Sequence, residues 1–257
     1  PFENEDNIDY TALKNLLDFH NEKKTMGVVL LGTTGESPTL SMDEKKELVK
    51  FVKQNKGNLD LVVGVGGNNT REVISFTKYC NDYADSLMVT VPNYNKPMQD
   101  GIFEHFSKIS ESTPLPIMMY NIPSRCGVNM TYETIVKLYH YSKNIVAIKE
   151  ASGDLGQIQD IMNNCDIDVF AGDDSQLVPV MSLGGKGVVS VYANINPTPV
   201  LTVFNSCLWN QFETARTEYF KYHNKIKELF VKTNPIPVKE MMAEQGMINK
   251  YLRLPLI

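Results

Sequence analysis

Seven short apolar runs recur along this chain with amphipathic stretches between them: Gly27–Gly32, Leu59–Val65, Ser86–Val91, Pro116–Tyr120, Ile145–Lys149, Asp168–Ala171 and Gly187–Val191. A run that is apolar without alternation suits a strand covered on both faces, which is the condition of a parallel sheet. Parallel neighbours need crossovers, and segments such as Ser41–Asn55 and Thr70–Asn81 have the periodicity to supply them. Ser41 with Glu44 makes a capping box for the first of these, while Thr131 with Thr134 and Asp154 with Gln157 mark later helix starts less strongly. The pattern predicts an α/β chain of (β/α)8 TIM-barrel type with right-handed crossovers. A closed barrel needs eight strands and about seven are in view. The chain opens on Pro1-Phe2 and enters a helix, Tyr10–Lys23, before any strand, so the first strand is expected upstream of this sequence.

The open sheet of a doubly wound fold is the rival, but no GxGxxG follows the first run. Gly64-Val-Gly-Gly67 and Leu183-Gly-Gly-Lys-Gly187 lack phosphate-loop spacing and read as turns. After Asn194 the texture becomes helical, over Pro199–Asn210, Phe212–Val231 and Pro235–Gln245, with no flexible linker. The expected organisation is a catalytic barrel over 1–194, truncated at its start, and a helical appendage over 195–257, truncated at its end.

A net charge of −5 without a Lys/Arg stripe argues against nucleic acid or anionic membrane as partners. No apolar run approaches membrane-spanning length, and no signal peptide opens the chain. Cys80, Cys126, Cys165 and Cys207 are widely spaced, as reduced thiols of a cytoplasmic protein would be. The four histidines form no HxH or HExxH pair, so no metal is expected.

Lys149 ends the run Ile145-Val-Ala-Ile-Lys149-Glu150. An ammonium buried there is disfavoured, and the escape is a lowered pKa that leaves a nucleophilic amine fit for Schiff-base chemistry. The bland alternative is a strand-end lysine whose head snorkels into solvent. In a parallel barrel, reactive groups gather at the C-terminal ends of strands. Those ends carry Gly32-Thr-Thr-Gly-Glu-Ser37, Pro92-Asn-Tyr94, Tyr120-Asn-Ile-Pro-Ser-Arg125, Lys149 and Gly172-Asp-Asp174. Individually, Tyr120 could be a core tyrosine, Arg125 a surface arginine, and Thr33 and Thr34 turn residues. Their joint placement favours a site.

In that order and spacing, GTTGES, YNIPSR and VAIKEASG resemble the pyruvate-dependent class I aldolases, the dihydrodipicolinate synthase family above all. The resemblance spans the whole chain and includes Gly187–Asn194 and Asn234-Pro-Ile-Pro-Val-Lys239. It implies that Lys149 condenses with pyruvate and that the resulting enamine attacks aspartate semialdehyde, the adduct cyclising with loss of water. It implies Tyr120 as the acid/base, linked through Thr33 to Tyr94, with Tyr94 crossing from a neighbouring subunit of a homodimer or dimer of dimers. Thr34 would hold the pyruvate carboxylate, Gly172 and Val189 would line the pocket, and Arg125 would take the semialdehyde carboxylate. No cofactor is implied.

Two positions depart from the family: Asn93 stands where a tyrosine is usual, and Cys126 where a threonine is usual. Ser37, Asn68 and Glu72 match positions of a lysine-effector site, but Met42 and Lys45 replace histidines of some members, so lysine inhibition is expected to be weak. The alternatives are another pyruvate aldolase, such as N-acetylneuraminate lyase or a keto-deoxy sugar acid aldolase, and a catalytically silent barrel that binds. Arg125 speaks against the first, and the intact Lys149, Tyr120, Tyr94 and Thr33 against the second. Val146-Ala-Ile-Lys149 mimics a kinase motif, but no HRD or DFG accompanies it.

Overall fold

The computed structural model describes residues 1–257, which gather into two compact units, Pro1–Leu61 with Ser190–Ile257, and Val62–Val189. One sheet holds seven strands in chain order: β1 (Gly27–Leu30), β2 (Asp60–Gly64), β3 (Ser86–Thr90), β4 (Ile117–Asn121), β5 (Ile145–Glu150), β6 (Asp168–Ala171) and β7 (Gly187–Val188). From β2 onward each strand runs parallel to the next. Helices lie between successive strands, as the β/α alternation requires. This is the strand order of a (β/α) barrel.

In the Val62–Val189 unit the core is mainly aliphatic. Strand residues Val63, Leu87, Val89, Ile117, Met119, Ile148 and Val169 are buried, as are Ile102, Phe106, Ile135, Leu138, Ile158 and Ile161 from the intervening helices. Each such side chain contributes roughly 1.5–3 kcal/mol by leaving water. The helix Leu155–Asn164 starts where Asp154 accepts from the Gly156 and Gln157 N–H groups. Thr131 precedes its helix without such a bond, its hydroxyl lying 3.5 Å from that of Thr134.

The other unit combines the N-terminal helices with the last three, Pro197–Leu208, Phe212–Glu228 and Ile236–Glu244. The capping box of Met42–Asn55 is present in full: Glu44 N–H donates to the Ser41 hydroxyl, and Ser41 N–H to the Glu44 carboxylate. Tyr192 and Tyr222 stack with ring centroids 5.0 Å apart.

Four strands are shorter than their apolar runs: β2 leaves out the end residues Leu59 and Val65 and β3 leaves out Val91, while β1 and β7 lose more. β1 stops at Leu30 because Leu31 takes a left-handed φ of 62° and turns the chain. β7 stops at Val188, and Val191 already has helical dihedrals at the entrance to the 3-10 turn Tyr192–Asn194.

Candidate active site

Tyr120 and Lys149 are register partners on β4 and β5, so their side chains leave the sheet on the same face. The Lys149 nitrogen lies 4.0 Å from the centroid of the Tyr120 ring, and both residues are buried. Burial lowers the Lys149 pKa from its usual 10.5 to about 8; Asp174 opposes the shift, Arg125 adds to it, and Asp173 opposes it. The ring face attracts an ammonium by about 0.5–2 kcal/mol, too little to offset the several kcal/mol lost on dehydration. With a pKa of about 8, roughly a tenth of the molecules carry a neutral amine at pH 7, against about three in ten thousand for an unperturbed lysine. Lys149 is therefore not a snorkelling lysine.

Arg125 sits in the short helix Pro123–Cys126 that follows β4. Gly172 follows β6, and its N–H donates to the Glu150 carbonyl at 2.7 Å. A Cβ at Gly172 would lie 2.4 Å from that of Ala151 and 2.9 Å from the Glu150 carbonyl oxygen, so only glycine lets this segment approach the end of β5. Val189 continues the pairing just beyond β7, its N–H donating to Ala171 at 3.0 Å. Tyr94 is 87% exposed in the single chain and has a left-handed φ of 66°. Asn68 and Glu72 lie near the start of the helix Thr70–Cys80; the Asn68 carbonyl accepts from Asn95, and the Glu72 carboxylate from Asn69.

Thr33, Thr34 and Ser37 belong to the other unit, in the turn after β1. Gly35 N–H donates to the Gly32 carbonyl and Glu36 N–H to that of Thr33, and the Thr34 hydroxyl accepts from Asn234 at 3.1 Å. Glu36 takes a left-handed φ of 54° and forms a buried ion pair with Lys239. Its second oxygen accepts from Arg253 N–H at 3.0 Å. Arg253 in turn forks onto Glu44 and holds that carboxyl down at about 2. Sequence reasoning passed over Glu36 as a partner of Lys239, because nothing local links residues two hundred positions apart. A charged residue inside each of two otherwise packed motifs was the only available signal.

A strand-end lysine with a depressed pKa, set against a tyrosine at the C-terminal edge of a parallel sheet, defines an α/β enzyme of the lysine-nucleophile class. The chain belongs to the dihydrodipicolinate synthetase family, which matches residues 1–257. It is 45% identical to the 4-hydroxy-tetrahydrodipicolinate synthase of Methanococcus aeolicus over 258 aligned positions, covering 100% of this chain and 89% of that one. The crystal structure of dihydrodipicolinate synthase from Aquifex aeolicus superposes with a TM-score of 0.98 at 41% identity, covering 100% and 89% of the two chains. The chloride-inhibited dihydrodipicolinate synthase of Acinetobacter baumannii, solved in complex with pyruvate, matches with a TM-score of 0.96 at 36% identity and the same coverage.

Proposed function

We propose that this chain acts as a 4-hydroxy-tetrahydrodipicolinate synthase, joining pyruvate to L-aspartate 4-semialdehyde through a Schiff base on Lys149, in the lysine branch of amino-acid biosynthesis. The buried amine of Lys149, 4.0 Å from the centroid of the Tyr120 ring on the adjacent strand, is the observation that carries the reading.

The neutral amine attacks C2 of pyruvate, and the carbinolamine loses water to give an imine. The protonated imine draws electrons from C3, which gives up a proton and becomes an enamine. C3 then bonds to the aldehyde carbon of the semialdehyde, whose oxygen is protonated to a hydroxyl. The semialdehyde's own amine attacks the imine carbon, closes the ring and displaces Lys149 as a free amine. One water leaves overall, at imine formation and not, as expected above, at ring closure, because ring closure expels the lysine amine instead.

Tyr120 is assigned the proton transfers, in relay with Thr33 and Tyr94. Thr34 and the N–H groups of its turn are assigned the pyruvate carboxylate, and Gly172 and Val189 the pocket wall. Arg125 takes the semialdehyde carboxylate, for which a forked guanidinium is suited. Tyr94, exposed in the single chain, is assigned to the site of a second copy, so the working unit is a homodimer or a dimer of dimers. The reaction needs no cofactor and is assigned to the cytoplasm. Ser37, Asn68 and Glu72 are assigned to a lysine-effector site of weak response.

The test is a substrate panel on the purified chain. Condensation of pyruvate with aspartate semialdehyde is expected, without cleavage of N-acetylneuraminate or of keto-deoxy sugar acids. Turnover confined to the sugar acids would contradict the reading.

A further inference from the structure

One register step beyond Tyr120 and Lys149, Asn121 pairs with Glu150. Successive strand residues face opposite sides, so this second pair leaves the sheet on the face away from the reactive amine. Glu150 is 1% exposed and bears no cation. Its carboxylate is instead held by hydrogen-bond donors: Asn121 Nδ2 at 3.1 Å to each oxygen, Gln157 Nε2 at 3.0 Å and Ser152 N–H at 2.8 Å. Burial raises its pKa and these bonds oppose the rise.

Asn121 uses its whole amide. One hydrogen goes to the Glu150 carboxylate and the other to Asn129 Oδ1 at 2.7 Å, while Oδ1 accepts from Met130 N–H at 3.0 Å. Gln157 completes the ring, accepting from Asn129 Nδ2 at 2.7 Å and donating to the Met130 carbonyl at 3.3 Å. The carboxylate fixes the sense of the ring, because a reversed Asn121 amide would set oxygen against oxygen. The segment between residues 121 and 130 is thus tied end to end, and it carries Arg125. Its middle is anchored where the Cys126 thiol donates to the Val91 carbonyl at 3.1 Å.

We propose that Glu150 is a positioning residue for substrate selection: through Asn121 it holds both ends of the Arg125 segment and so sets the guanidinium that takes the second substrate's carboxylate. The inference rests on the role given to Arg125 above. A residue that only filled the core would affect both half-reactions alike. Glu150 governs the second.

Glu150→Gln replaces an all-acceptor group with an amide whose NH2 must face a donor. The expected result is a KM for aspartate semialdehyde raised about tenfold, with borohydride trapping of pyruvate within about twofold of the parent. In an Arg125→Ala background the same substitution should add nothing further to that KM. Gln157→Met, which removes one donor to Glu150 and Gln157's own bonds to Asn129 and Met130 while leaving those of Asn121, should move the same KM in the same direction, and reads the network if Glu150→Gln fails to fold. Equal losses in trapping and in semialdehyde use, or full additivity with Arg125→Ala, would overturn the proposal. If Arg125→Ala raises the KM and neither network variant does, the inference alone falls. If Arg125→Ala leaves it unchanged, the role of Arg125 falls and takes the inference with it.

Discussion

The Tyr120 ring and the Lys149 amine face each other at 4.0 Å across adjacent strands, as register partners. A strand-to-strand contact of this kind starts from the hydrogen-bonded ladder and not from a loop, so the backbone positions that carry the two groups cannot shift without breaking sheet pairing. Asp174 and Arg125 then bias the amine in opposite directions, and their effects can be separated by titration.

With its pKa lowered to about 8, Lys149 is protonated below that pH, and the neutral fraction grows as pH rises. The single-turnover rate of imine formation should therefore climb about tenfold per unit from about pH 6 and level off above about pH 8. Asp174 favours the ammonium, so Asp174→Asn should move the inflection to lower pH. Arg125 disfavours it, so Arg125→Ala should move the inflection upward. Shifts of the same sign in both variants would contradict this electrostatic arrangement.

The assignment of Tyr94 to a second copy is testable by mixing. Lys149→Ala and Tyr94→Phe chains should each be nearly inactive. Reassorted dimers should recover about a quarter of the parent activity, because half of them carry one intact site in two. No recovery after verified subunit exchange would place Tyr94 outside the shared site.

Glu36 and Lys239 form an ion pair whose side chains are almost fully buried. Removing either charge strands the other, at about 3–5 kcal/mol. Glu36→Gln and Lys239→Met should each lower the urea midpoint markedly, and the double variant should be more stable than the sum of the two losses implies by about 2 kcal/mol. Strict additivity would show that the pair does not act as one unit.

Much of the framework was legible because the signals were local. All seven apolar runs became strands, and the Ser41–Glu44 box caps its helix with both bonds made. Lys149 stood out because a charge in an apolar run conflicts with its surroundings. Where the reading overran, as at Leu31 and Val191, a backbone turn interrupted residues that remain apolar, and side-chain pattern carries no record of that. The Asn121–Glu150 ring and the Glu36–Lys239 pair were not legible either, since each joins residues that only the sheet or the tertiary packing brings together. Glu150 puts a second charge beside Lys149 on a buried strand. It is accommodated because both faces of the strand are covered and the outer face supplies donors.

The most direct test is borohydride reduction in the presence of pyruvate, followed by peptide mass mapping. A carboxyethyl group should appear on the peptide at Lys149 and nowhere else, and Lys149→Ala should lose both the adduct and turnover. An adduct on another lysine, or full turnover by Lys149→Ala, would contradict the account.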